Sequence, residues 1–176
     1  MDRFMTQAPS AGLVGSAMSI ALNAVGFGVQ HRARGFADGE TLDLGRHRLR
    51  FLETPHVHHW DSMMVFDEST RSLFPSDLYL QPGPQPAVVE DDLGAEMCAT
   101  YREVGIFAHE QPVRDVVDRI EALSPDWMHA MHGGTLTRAA IPYYTRALRE
   151  QEFGYRNRLM GRDVPAAVEV AVAAGS

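Results

Sequence analysis

Residues 81–86, QPGPQP, constrain this chain more than any other stretch. Three prolines in six residues remove backbone donors and fix φ, so neither a helix nor a central strand can run through them. The loop marks the midpoint of the fold, and the hydrophobic period differs on its two sides. Before it, residues 11–14 read as a short buried strand, and Gly15-Ser16 offers an N-cap for a helix over residues 17–25 that ends at Gly26. Asp38-Gly39 is a turn signal, followed by the alternating runs ETLDLG and HRLRFLET separated by Gly45-Arg46. Residues 62–66 and 72–75 form another strand pair around the polar turn 67–71. After the loop, residues 91–107 and 113–123 carry apolar side chains at helical spacing, clearest in Val113, Val116, Val117, Ile120 and Leu123. Pro112 suits a first helical turn. Residues 127–131 read as a strand, His132-Gly133-Gly134 as a tight turn, and residues 137–150 as a helix broken at Pro142. The succession of a β-rich half and a mainly helical half predicts an α/β (α+β) fold, a sheet with helices on its outer faces.

Composition narrows the function. With 176 residues and 45% hydrophobic side chains, the chain can bury the core of one domain. A net charge of −7 and scattered arginines argue against nucleic acid as a partner. The lone Cys98 excludes disulfide frameworks and thiolate metal clusters and fits a reducing, cytoplasmic setting. Residues 12–29 are free of charge, yet they hold Ser16, Ser19, Asn23 and four glycines. A buried strand and short helix account for them better than a membrane span or signal core.

Chemistry concentrates in HVHHWDSM, residues 56–63, where His56, His58 and His59 precede Asp61. Imidazole and carboxylate suit zinc, iron and manganese, and a His-x-His pair can direct two nitrogens to one ion. Alone the cluster is equally well a set of surface or packing residues. Thr54-Pro55 stops the preceding strand, which puts the histidines on a loop past a strand end, where sites are commonly built. His129 precedes His132 by an odd number of strand positions, which sends their side chains to opposite faces. His109 reads as a loop residue, and Met63, Met64, Met128 and Met131 as core filler rather than copper ligands. No nucleophile elbow, phosphate loop or dinucleotide fingerprint is present.

The string Thr54-Pro55-His56-Val57-His58-His59-Trp60-Asp61-Ser62-Met63, with LFPSD at residues 73–77 and WMHAMHGG at residues 127–134, resembles the second half of the metallo-β-lactamase fold. Within it, the flavodiiron and oxygen-binding diiron proteins are most similar. The resemblance implies a partial αββα sandwich, helices outside two mixed sheets, over residues 1–155, with residues 156–176 a C-terminal extension or tail. It implies that His58 binds one metal, His132 the other, and that Asp77 bridges them. His56, His59, Asp61, Tyr79 and His129 fall to pocket or supporting roles. His59-Trp60 stands where the family has Trp-Pro.

The superfamily's first metal motif, His-x-His/Glu-x-Asp-His, has no counterpart, since within HVHHWD the aspartate falls one residue late and Ser62 follows it. The resemblance therefore implies a half-encoded dinuclear site, completed by an omitted upstream segment or a partner chain, or else decayed. The expected cofactors are two metal ions, iron or alternatively zinc, with no flavin domain. The expected ligand is dioxygen or nitric oxide, with a separate electron donor for any reduction and a homodimer compatible with the fold. A zinc-dependent hydrolase and a metal-free interaction module are the competing readings.

Overall fold

The computed structural model describes residues 2–26 and 32–155. The expected extension over residues 156–176 lies outside the described residues, as does the end of the charge-free run. Helix α1 (Asp2–Gln7) leads to β1 (Leu13–Ser16), α2 (Ala17–Gly26) and β2 (Ala33–Phe36). The two strands pair in parallel, from Leu13 opposite Ala33 to Ser16 opposite Phe36. Ser16 ends the strand and caps the helix, its Oγ accepting from the Ser19 N–H at 3.0 Å. At Gly35 a Cβ would come within 2.5 Å of Ala17 Cα, so this close crossover requires glycine. With α2 only ten residues long, no helix of the described residues is long and apolar enough to cross a membrane.

The larger sheet begins as a meander of antiparallel hairpins: β3 (Thr41–Asp43), β4 (Arg48–Glu53), β5 (Met63–Asp67) and β6 (Ser72–Phe74). The expected turns close them. Gly39 and Gly45 have φ of 77° and 83°, and Asp43 Oδ1 accepts from the Gly45 N–H at 2.7 Å. Beyond the proline loop lie β7 (Val88–Val89), α3 (Gly94–Val104), α4 (Glu110–Leu123), β8 (Trp127–His129), β9 (Thr135–Thr137) and α5 (Ile141–Glu150). The seven strands take the order β3-β4-β5-β6-β8-β9-β7, with β8 parallel to β6 and β7 parallel to β9.

Two expectations fail locally. Strands of two and three residues, β7 and β9, are too short to show a period, and the predicted helix over residues 137–150 absorbed Thr137. That helix starts at Ile141, and Pro142 sits in its first turn, where a missing N–H costs nothing, so it begins the helix rather than breaking it.

Alternation along β4 shows how the layers assemble. Leu52 joins Met64, Phe66, Leu73 and Met128 in the core that α3, α4 and α5 cover with Met97, Tyr101, Val113, Val117, Ile120, Tyr144 and Leu148. Phe51, pointing to the opposite face, stacks on Phe36 of the small sheet at 4.1 Å and 19°. Two sheets therefore pack face to face, with α3, α4 and α5 outside the larger one. The smaller sheet is parallel and the larger mixed. Met131, expected in the core, is 66% exposed, because β8 has already ended at His129.

Candidate metal centre

Strand direction brings the three principal residues together. Since β4 and β6 are each antiparallel to β5, and β8 is parallel to β6, strands β4, β6 and β8 run the same way. His58, Asp77 and His132 lie on the loops that leave the C-terminal ends of those strands. Loops at the carboxyl ends of co-directional strands open on one edge of a sheet, the usual place for a binding crevice.

Each loop is held by its own hydrogen bonds. The first is closed by Thr54 N–H to Ser62 O at 2.9 Å, Val57 N–H to Thr54 O at 3.0 Å and His56 N–H to His59 O at 2.8 Å. These leave the His58 ring against the edge of Phe107, with centroids 6.5 Å apart. The Asp77 and His132 loops are tied to each other by Met131 N–H to Ser76 O at 3.0 Å and Gln81 N–H to His132 O at 2.9 Å. Tyr101 donates its hydroxyl to Asp77 O at 2.9 Å. Burial raises the Tyr101 phenol far above its ordinary range, so it remains a donor. Strain gathers here as well: His56, Ser76 and Tyr79, all within two residues of His58 or Asp77, have φ of 65°, 57° and 65°. Gly133, directly after His132, has φ of 115°.

The Asp77 carboxylate has an imidazole at each oxygen. His58 Nε2 is 3.0 Å from Oδ2, and His132 Nε2 is 3.2 Å from Oδ1. The first contact is a hydrogen bond; the second is not, and Oδ1 is buried without a hydrogen-bond partner. A buried carboxylate oxygen left in that state is costly unless a cation or donor completes it. Among the described residues no group of three or more His, Cys, Asp or Glu side chains is placed to hold a metal ion by itself. One carboxylate flanked by two imidazoles suits a bridge between two ions instead. Beside it opens a cavity of about 240 Å³ whose lining includes Asp77, His132, Thr100 and, on its apolar side, Leu80, Val104 and Ile106.

The remaining candidates lie apart from this carboxylate. His56 is exposed and borders a shallow hollow with Pro112, Asp115 and Arg119. His59 is 68% exposed, with its ring centroid 4.6 Å from that of His58 in an edge-on arrangement and its Nδ1 3.9 Å from Asp61 Oδ1. Asp61 accepts through its backbone oxygen from Ser16 Oγ at 3.2 Å, joining the loop to the small sheet. Tyr79 turns inward, its hydroxyl 3.0 Å from Thr145 Oγ1 on α5; burial raises its phenol far above the usual range, and it anchors the loop rather than lining the cavity. His129 stacks on Phe74 and bonds Thr135 Oγ1 at 3.0 Å; since β8 ends at His129, strand alternation does not reach His132. His109 caps α4, its Nδ1 accepting from the Gln111 N–H. Sequence reasoning missed Tyr101 and Gln81: a tyrosine on an amphipathic helix reads as core, and a glutamine opening a proline loop reads as solvated.

The fold and the arrangement of loops define a metallo-β-lactamase-like domain of the flavodiiron branch. The profile of the ODP family beta lactamase matches residues 9–133, and the chain belongs to that family. It is 28% identical over 115 residues to a protein described as diflavin flavoprotein A 1 from Thermosynechococcus vestitus, covering 64% of this chain and 20% of that one. The chemotaxis sensor ODP from T. denticola, solved in its apo state, superposes with a TM-score of 0.69 at 18% identity, over 82% of this chain and 61% of its own. ODP solved as a peroxy diiron species gives a TM-score of 0.70 at 17% identity, over 82% and 62% of the two chains. Rubredoxin oxygen:oxidoreductase from Desulfovibrio gigas gives 0.65 at 15% identity, over 78% of this chain and 36% of its own. The chain thus spans less than two thirds of each of these relatives.

Proposed function

We propose that this chain carries one side of a carboxylate-bridged pair of metal ions, iron in preference to zinc, that binds or reduces dioxygen or nitric oxide. The observation that carries the reading is the Asp77 carboxylate, with an imidazole at each oxygen and Oδ1 buried without a hydrogen bond. In this reading His58 holds one ion, His132 the other, and Asp77 spans both. A bound pair of ions supplies Lewis acidity and, as iron, electrons for a diatomic ligand. The chain's own residues orient and shield: Tyr101 holds the Asp77 backbone, Phe107 walls His58, and Leu80, Val104 and Ile106 make the adjoining cavity apolar. A small apolar ligand suits that lining better than an extended ester or lactam.

The described residues offer each ion one imidazole and one carboxylate oxygen. In this reading the further ligands come from residues outside those described or from a partner chain. Likeness to a diiron chemotaxis sensor and to a rubredoxin oxygen:oxidoreductase supports iron and oxygen chemistry. Sensing needs no turnover; reduction draws electrons from a separate donor protein. A cytoplasmic setting and a homodimer complete the reading.

The test is anaerobic addition of Fe²⁺ to the protein made together with any upstream coding sequence, read by elemental analysis, thermal melting and absorbance on exposure to oxygen. Uptake of about two ions per chain is expected. At a hundredfold excess over Kd, binding stabilises by about 2.7 kcal/mol and raises Tm by roughly 5–10 °C. Asp77→Asn removes both effects, and His58→Ala or His132→Ala halves the uptake. Zinc with esterase activity, or an unchanged Tm with no metal taken up, overturns the reading.

A further inference from the structure

We infer that Gln81 is a positioning residue that fixes His132 relative to Asp77; the inference rests on the dinuclear reading above. Gln81 opens the proline loop and is only 2% exposed, so its amide must find partners inside the fold. It makes three hydrogen bonds: two join the Asp77 loop to the His132 turn, and the third fixes its side chain within its own loop. Its backbone N–H donates to His132 O at 2.9 Å. Its Nε2 donates to Tyr79 O at 2.5 Å, and its Oε1 accepts from the Gly134 N–H at 2.7 Å. The amide has one orientation, because a carbonyl can only accept and a backbone N–H can only donate. The turn is shaped around it: a Cβ at Gly133 would lie 2.1 Å from Gln81 Oε1, so the residue after His132 must be glycine while Gln81 is in place.

The side chain therefore works as a clamp between two loops separated by some fifty residues of chain. Asp77 and Tyr79 lie on one side of it, His132 and Gly134 on the other. Without the side chain, the Met131–Ser76 and Gln81–His132 backbone bonds still align the turn up to His132, but the Gly134 N–H loses its acceptor and the backbone between His132 and Thr135 loses its hold. Residues that orient metal ligands in this way commonly alter metal affinity 10- to 100-fold when replaced.

The test uses the full chain with Gln81→Met, which keeps the length and the backbone bond to His132 O but neither side-chain hydrogen bond, and Gln81→Glu, which keeps the Gly134 acceptor and sets a carboxylate oxygen against Tyr79 O. Gln85→Ala in the same loop is the control. In metal-free protein, the His132 ring resonances are expected to move in both Gln81 variants and stay in place in the control, while those of His109 stay fixed throughout. With Co²⁺ as the probe, affinity at one of the two sites is expected to fall about 10-fold or more in Gln81→Met. If both variants keep wild-type His132 resonances and Co²⁺ affinity, or change only the unfolding midpoint, the inference is wrong. If Gln81→Met does not fold, Gln81→Glu answers the same question. Should the wild-type chain take up no metal, the dinuclear reading fails, and the His132 resonances alone decide the role of Gln81.

Discussion

Asp67 and Asp77 are both carboxylates beside histidines, and their surroundings give them different tasks. Asp67, at the end of β5, is bonded to His47 Nδ1 at 2.6 Å, Thr70 Oγ1 at 2.8 Å and the Ser69 N–H at 2.9 Å. Burial alone would raise its pKa, but these bonds outweigh burial and bring it down to about 2, from 3.8 when unperturbed. A depressed carboxylate stabilises the fold above its unfolded pKa and loses that contribution as pH falls through its folded one. The stability gap between wild type and Asp67→Asn, measured by urea unfolding, is therefore expected to be constant above about pH 5 and to close toward pH 2. Asp77 keeps one oxygen without a hydrogen bond, beside the His132 imidazole, which suits a ligand better than a hairpin turn. The sequence marked His58, Asp77 and His132 through their resemblance to a motif. It gave no sign of Gln81, whose importance lies in partners on a distant turn.

At the scale of elements, α4 was legible because its valines and Ile120 repeat at helical spacing. What holds its N-terminus was not. Glu110, in the first turn, is 8% exposed, and its Oε1 accepts from the Phe153 N–H at 3.1 Å and the Gly154 N–H at 2.9 Å. It joins the start of α4 to the segment after α5. Glu110→Ala leaves two buried donors without that acceptor and is expected to cost about 2–4 kcal/mol in chemical denaturation. Glu110→Gln, which keeps a carbonyl acceptor, costs less. If the alanine variant unfolds like wild type, water already serves those amides. Strands β7 and β9 escaped the sequence for a related reason: their two and three residues are strands by virtue of neighbours in the sheet, not of their own pattern.

For the whole molecule, the contact between the two sheets decides how the first loop meets the rest of the site. Phe36 and Phe51 stack across that boundary, 0% and 2% exposed. Phe36→Ala is expected to cost about 3–5 kcal/mol. Amide exchange should quicken in β1 and β2 and remain slow in α4, because the helical core lies on the far face of the larger sheet. Equal quickening in both places would mean that the two layers unfold as one.

The hairpins from β3 to β6, the proline loop, the helical second half and the residue types of the site follow from the sequence by itself, since each depends on local period, turn chemistry or donor chemistry. Only the tertiary structure decided how each imidazole stands against the Asp77 oxygens, that Tyr79 turns inward to Thr145, and that Gln81 clamps two of the loops. Those outcomes depend on strand order and direction, through which residues far apart in the chain come within hydrogen-bond distance, and no local pattern carries that information.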